Sequence, residues 1–172
     1  MKILLDSKQL HITLRRLAHQ LAEHHDAFEG SAIVGIQPRG VFLSDKLVPM
    51  LAEITGNAEI RYGKLDITFH RDDVRSGGAL HTPSVNTMPF SVEGRTVVLI
   101  DDVLHTGRTI RSAMDALMAY GRPARVELLT LIDRKFSREL PVQPDYTGRS
   151  IDTIMSQKVV VDWAEEQVLL ID

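Results

Sequence analysis

The stretch that decides the fold is Val97–Arg111, VVLIDDVLHTGRTIR. Val97, Val98, Leu99 and Ile100 form a short unbroken apolar run, the pattern of a strand covered on both faces in the middle of a parallel sheet. Asp101 and Asp102 follow where such a strand would emerge, and adjacent acids there are costly unless hydroxyls, amides or a cation answer them. A polar turn comes next, His105-Thr106-Gly107-Arg108-Thr109, and then a helical stripe of Ile110, Ala113, Met114 and Leu117. A strand, a small-residue turn and a helix start together gather several backbone N–H groups around one point, with the Thr106 and Thr109 hydroxyls beside them. That is a cup for a phosphate. The competing reading is an ordinary turn capped by a threonine, with two solvated acids.

Upstream, Ser31–Ile36 (SAIVGI) is a second apolar strand, and Gln37-Pro38-Arg39-Gly40 turns it into a helix over about 41–53. This second strand-turn-helix junction carries an arginine at its mouth, while Pro38 removes one amide donor. Leu10, Leu14, Leu17, Ala18 and Leu21 predict a helix over 6–25, with Asp6 or Ser7 as its N-cap. Its other side holds His11, Arg15, Arg16, His19, His24 and His25, which read as a solvated face. Residues 58–69 alternate as one or two strands, with Gly63 interrupting. His70-Arg71-Asp72-Asp73 then opens a polar stretch reaching Pro89, long enough to be a functional lid or a disordered insertion.

Downstream, Gly121-Arg122-Pro123 closes the helix, and Val126–Ile132 (VELLTLI) reads as another buried strand. Asp133 and Arg134 stand at its carboxyl end, the edge where open α/β sheets collect ligands, although a salt bridge between the two explains them equally well. Residues 139–151 read as a turn-rich excursion, followed by short strands over 158–163 and 168–171, with Trp163 packed into the core or an interface. Strands alternating with helices predict an α/β fold, a parallel sheet flanked by helices with right-handed crossovers. No repeat or linker divides it, so residues 1–172 read as a single domain.

Composition narrows the chemistry. With 44% hydrophobic and 25% charged residues the chain has the balance of a globular protein rather than a disordered one. A net charge of -3 gives no global attraction to nucleic acid, so RNA binding needs a local basic patch. The absence of cysteine removes thiolate chemistry, cysteine zinc sites and disulfides. No apolar run approaches the length that crosses a bilayer, and the expectation is a cytoplasmic protein.

The apolar strand, acid pair and Thr-Gly-x-Thr turn resemble the phosphoribosyl-pyrophosphate (PRPP) loop of type I phosphoribosyltransferases. The resemblance implies that fold, with a small hood from the C-terminal segment (about 134–172, with an N-terminal contribution) and a mobile lid loop (about 71–88). It implies that Asp101 and Asp102 hold the ribose hydroxyls and, indirectly, the Mg²⁺ that accompanies PRPP. The backbone of Leu104, His105, Thr106, Gly107, Arg108 and Thr109 would take the 5′-phosphate, and Gln37, Pro38, Arg39 and Gly40 the diphosphate. Arg71 would reach the same diphosphate, while Asp72 and Asp73 would anchor the lid. Ile132, Asp133 and Arg134, with the 149–160 segment, would hold the nucleobase.

A narrower resemblance runs through LDITFHRDD (65–73), IDDVLHTGRTIRSAMDAL (100–117), YGRP (120–123) and RELPVQPDYTGRSI (138–151). These segments are similar to the bifunctional pyrimidine-operon attenuators that are also uracil phosphoribosyltransferases. The implied partners are PRPP, uracil and UMP, with leader RNA of a pyrimidine operon and a homodimer or larger assembly. The RNA contacts would be Arg16, His19, Arg138 and Arg149. The chain departs from that pattern at Asp133-Arg-Lys-Phe-Ser-Arg138, which is one residue longer and lacks a histidine, and at Ile12, where a basic residue is usual. The alternatives are a hypoxanthine-guanine phosphoribosyltransferase or a catalytically weak regulator. Against the purine enzyme stand His70-Arg71 in place of a Ser-Tyr pair and His105 in place of an acid.

Overall fold

The computed structural model describes residues 1–71 and 85–172; most of the expected lid, with Asp72 and Asp73, lies outside the described residues. A short strand β1 (Lys2–Leu5) leads into helix α1 (Ser7–His25). Asp6 caps that helix: its carboxylate accepts from the Gln9 amide at 2.8 Å, and the Gln9 side chain accepts in return from the Asp6 amide at 3.1 Å. Strand β2 (Ser31–Ile36) feeds helix α2 (Arg39–Thr55), which begins earlier than the sequence pattern indicates, right at Arg39, and stops at Gly56 with φ 70°.

The alternating stretch 58–69 forms only strand β3 (Tyr62–Leu65) and a single helical turn over Thr68–His70. The remaining elements are β4 (Thr96–Leu104), α3 (Arg108–Leu117), β5 (Arg125–Lys135), β6 (Tyr146–Asp152), β7 (Lys158–Asp162) and β8 (Gln167–Ile171). The apolar run of β4 fixes the centre of a five-stranded parallel sheet ordered β3-β2-β4-β5-β6. Val98 and Ile100 face one core, shared with Leu14, Leu17, Leu43 and Leu47 of α1 and α2. Val97 and Leu99 face the other, shared with Ile110, Ala113 and Leu117 of α3. The near-continuous hydrophobicity of this strand follows from having helices on both faces.

Three expectations change. Residues 146–152 of the supposed excursion form β6, hydrogen-bonded in parallel to β5, which itself extends through Asp133 and Arg134. Asp133 pairs with Arg138 rather than with Arg134. The segment set apart from the main sheet is therefore narrower than 134–172: β7 and β8 with β1 make a three-stranded antiparallel sheet, β1-β8-β7. The sequence reading assigned no strand to residues 2–5, whose pairing partner lies at the far end of the chain.

The supposed solvated face of α1 also differs at its end. The His25 side chain is only 5% exposed, with Nδ1 at 2.9 Å from Ser31 Oγ and Nε2 at 2.9 Å from Glu127 and 3.1 Å from the Tyr146 hydroxyl. Tyr146 donates to Glu127 at 2.7 Å, and burial together with that bond raises the Tyr146 pKa above its usual value. This network ties α1 to the amino ends of β2, β5 and β6, the edge of the sheet away from the acid pair.

Candidate active site

At the carboxyl edge of the sheet a cleft of about 620 Å³ opens between the ends of β2 and β4 on one side and β7 on the other. Its wall includes Gln37, Pro38, Arg39, Arg71, Asp101, Asp102, His105, Thr109 and Arg134, nine of the residues expected from the sequence. The position of Arg39 depends on Gly40. A Cβ at residue 40 would overlap the Ile100 carbonyl, so glycine lets the start of α2 lie against the end of β4, beside the acids.

Asp101 and Asp102 are buried, 7% and 3% exposed, and the Asp102 amide donates to Asp101 Oδ1 at 2.9 Å. Burial first, and then the charge of Asp102, push the Asp101 carboxyl well above the ordinary carboxylate range. Burial raises Asp102 as well, with the Arg39 charge opposing it. Two such carboxylates at the mouth of a cleft form a site for hydroxyl groups or a cation.

The turn after β4 is held from behind. Thr106 O accepts from the amides of Glu139 and Leu140 at 3.0 and 3.1 Å, and Arg108 Nε donates to Glu139 at 2.6 Å. Gly107 sits at φ 92°, a conformation that favours glycine, and a Cβ there would press on Val142. Thr109, in the first turn of α3, lines the cleft; Leu104 is buried beneath it, and Thr106, Gly107 and Arg108 shape the turn without forming the wall. The first turn of α3, whose amides have no acceptor within the helix, reaches this cleft through Thr109, and the Arg108 amide donates to Thr106 Oγ1 at 3.3 Å.

Arg134 is 4% exposed and is pinned by Nε donating to Thr153 Oγ1 at 2.8 Å and Nη2 donating to the Ile154 carbonyl at 3.3 Å. Ile132 and Asp133 are buried behind it and do not form the wall. Arg138 donates to Asp133, to the His105 carbonyl and to Val142 O at 3.0 Å, so this guanidinium braces the turn from within the molecule. Burial, and then the charge of Arg134, hold the His105 imidazole below its usual pKa.

Arg16, His19 and Arg149 stand elsewhere, along α1 and β6. Arg16 and His19 are exposed; Arg16 donates to the carbonyls of Thr147 and Gly148, and Arg149 to that of Leu4.

Sequence reasoning missed Asp66 and Thr68 on the cleft wall, and reached Lys158 only as part of the 149–160 segment. Asp66 Oδ1 accepts from the Thr68 amide at 2.8 Å and its hydroxyl at 2.6 Å, a local turn that the D-x-T spacing signals. Lys158 was not singled out within that segment, because it is the second sheet that brings it to the cleft.

A helix start after the central strand, a buried acid pair at that strand's end and an arginine at the neighbouring strand end fit the class that the family profile shows: the chain carries a phosphoribosyl transferase domain, matched over residues 1–166. Within that class the chain belongs to the family of bifunctional PyrR proteins. It is 46% identical over 160 residues to the bifunctional protein PyrR of Geobacter sp. (strain M21), covering 92% of this chain and 89% of the relative. It is 40% identical over 164 residues to that of Elusimicrobium minutum, covering 95% and 90%. A solved hypoxanthine phosphoribosyltransferase from Trypanosoma cruzi superposes with a TM-score of 0.76 at 18% identity, covering 98% of this chain and 94% of that one. One from Staphylococcus aureus gives 0.68 at 21%, covering 88% and 77%. These two likenesses concern the fold.

Proposed function

We propose that this chain transfers the phosphoribosyl group of PRPP to uracil, forming UMP and diphosphate, and acts as a UMP-dependent attenuator on the leader RNA of a pyrimidine operon. The observation that carries the catalytic part is the buried Asp101–Asp102 pair, facing the same cleft as Arg39, Thr109 and Arg134. The regulatory part rests on the family, whose members named above are bifunctional.

In this reading the two carboxylates grip the ribose 2′- and 3′-hydroxyls, which replaces the solvation they lack in the free protein. The α3 amides and the Thr109 hydroxyl hold the 5′-phosphate. As the bond from C1′ to the diphosphate oxygen breaks, its electron pair leaves with the diphosphate and positive character develops on the ring. Asp101 and Asp102 place negative charge below that ring, and Arg39 meets the growing charge of the leaving group. Uracil N1 forms the new bond to C1′, and its proton leaves to solvent. No side chain acts as a nucleophile.

The donor set suits Mg²⁺. Two hard carboxylates face the cleft, and no group of three or more ligating side chains is assembled among the described residues, so an ion arriving with the diphosphate would take its other ligands from phosphate oxygens and water. When bound, it supplies charge neutralisation on the diphosphate. The test is a base panel of uracil, hypoxanthine, guanine and orotate with PRPP and Mg²⁺. UMP from uracil with little purine nucleotide is expected; preferential purine turnover would favour the purine enzyme, and inactivity with every base the purely regulatory protein.

A further inference from the structure

His105 lines the cleft together with Arg134, Lys158 and Val160. Its ring is asymmetric in its surroundings. Nε2 is buried without a hydrogen-bond partner, whereas Nδ1 is not among the buried unpartnered atoms and takes no partner among the described residues. Burial and then the cations Arg134 and Arg138 lower the imidazole pKa, with the acid Glu139 opposing them, which favours the neutral ring at neutral pH. A neutral ring has one N–H. An N–H confined at Nε2 would be a buried donor without an acceptor, which proteins tolerate less readily than an unsatisfied acceptor. The proton therefore belongs on Nδ1, the nitrogen a ligand can reach.

Resting on the reading that uracil is the acceptor, we propose that His105 meets the base as an Nδ1–H donor to a ring carbonyl oxygen, and so selects a dioxopyrimidine rather than removing a proton from it. The surroundings agree. Besides His105 the cleft wall carries the cations Arg134 and Lys158 and the apolar Val159 and Val160, and Asp66, the carboxylate on the wall outside the acid pair, accepts from Thr68. Groups that donate or are apolar suit a flat ring edged with carbonyl oxygens.

The experiment compares wild type, His105→Gln, His105→Phe and His105→Asp for kcat and KM toward uracil, across about pH 5 to 8 where histidine titrates. Loss of one neutral hydrogen bond is expected to raise the uracil KM about three- to tenfold in His105→Phe, with kcat little changed. His105→Asp, which replaces a donor by an acceptor, is expected to be at least as impaired, and His105→Gln, which keeps an amide donor, to stay near wild type with a parallel pH profile. An unchanged KM in both His105→Phe and His105→Asp overturns the inference. So does a hundredfold drop of kcat in His105→Gln with loss of an acidic limb, the mark of a proton acceptor. Wild type inert toward uracil overturns the functional reading itself, and this inference with it.

Discussion

Asp101 is the residue whose chemistry opposes its own fold. Burial and the neighbouring Asp102 raise its folded-state pKa above the unfolded value of about 3.9, so it binds its proton more tightly in the native state. Its favourable contribution to stability is complete below the unfolded pKa and is lost as pH rises through the folded pKa. Ionising Asp101 in this buried place therefore works against the folded state, a cost that fits the proposed role of the pair in holding ligand. Asp101→Asn is accordingly expected to melt higher than wild type at neutral pH while losing turnover, each 1 kcal/mol moving Tm by roughly 2–4 °C at this chain length. The advantage should vanish below about pH 3.9. Thermal unfolding followed against pH checks this, and an unchanged or lower Tm at neutral pH contradicts it. The acid pair was legible in the sequence because adjacent acids after an apolar run demand a partner. The burial of His25 was not, since its partners Glu127 and Tyr146 sit on strands far away in sequence.

Helix α2 and strand β4 meet at Gly40, where only the lack of a side chain allows the contact. Gly40→Ala is expected to cost about 1–3 kcal/mol through overpacking and to raise the KM for PRPP by displacing Arg39. Denaturant unfolding and steady-state kinetics together test this, and a variant normal in both measures contradicts the placement. At the opposite edge of the sheet, Tyr146→Phe leaves the buried Glu127 carboxylate one donor short, an expected loss of about 1–3 kcal/mol. Because that edge does not touch the cleft, the kinetics should remain those of wild type; altered KM values would show the two edges to be coupled. Among the elements, β2, β4, α1 and α3 could be read locally because their apolar periods are unambiguous. Strand β6 could not, as its polar and turn-forming residues, Thr147, Gly148 and Arg149, mask a pairing that only β5 provides.

Across the whole molecule, two sheets divide the work: the parallel sheet presents the acid pair and the turn after β4, and the small antiparallel sheet brings Lys158, Val159 and Val160 to the same cleft. The first is written in contiguous motifs; in the second, the strands over 158–171 were legible, but the strand at residues 2–5 was not, because its partner lies at the far end of the chain. For the regulatory part of the proposal, a chain of net charge -3 must bind RNA through a local patch; of the expected contacts, Arg16, His19 and Arg149 lie along α1 and β6, the two arginines also donating to backbone carbonyls, while Arg138 braces the turn after β4. Filter binding with the leader RNA should strengthen when UMP is added and weaken in Arg16→Ala; binding indifferent to UMP and fragile to salt would be nonspecific. The central claim is that the acid pair serves phosphoribosyl transfer to uracil. It is tested most directly by following labelled uracil into UMP, with PRPP and Mg²⁺, for wild type and Asp102→Asn shown by unfolding to be equally folded. Wild type is expected to form UMP and Asp102→Asn to fall by about a hundredfold or more. Equal turnover by the two proteins, or none by wild type, would contradict the account.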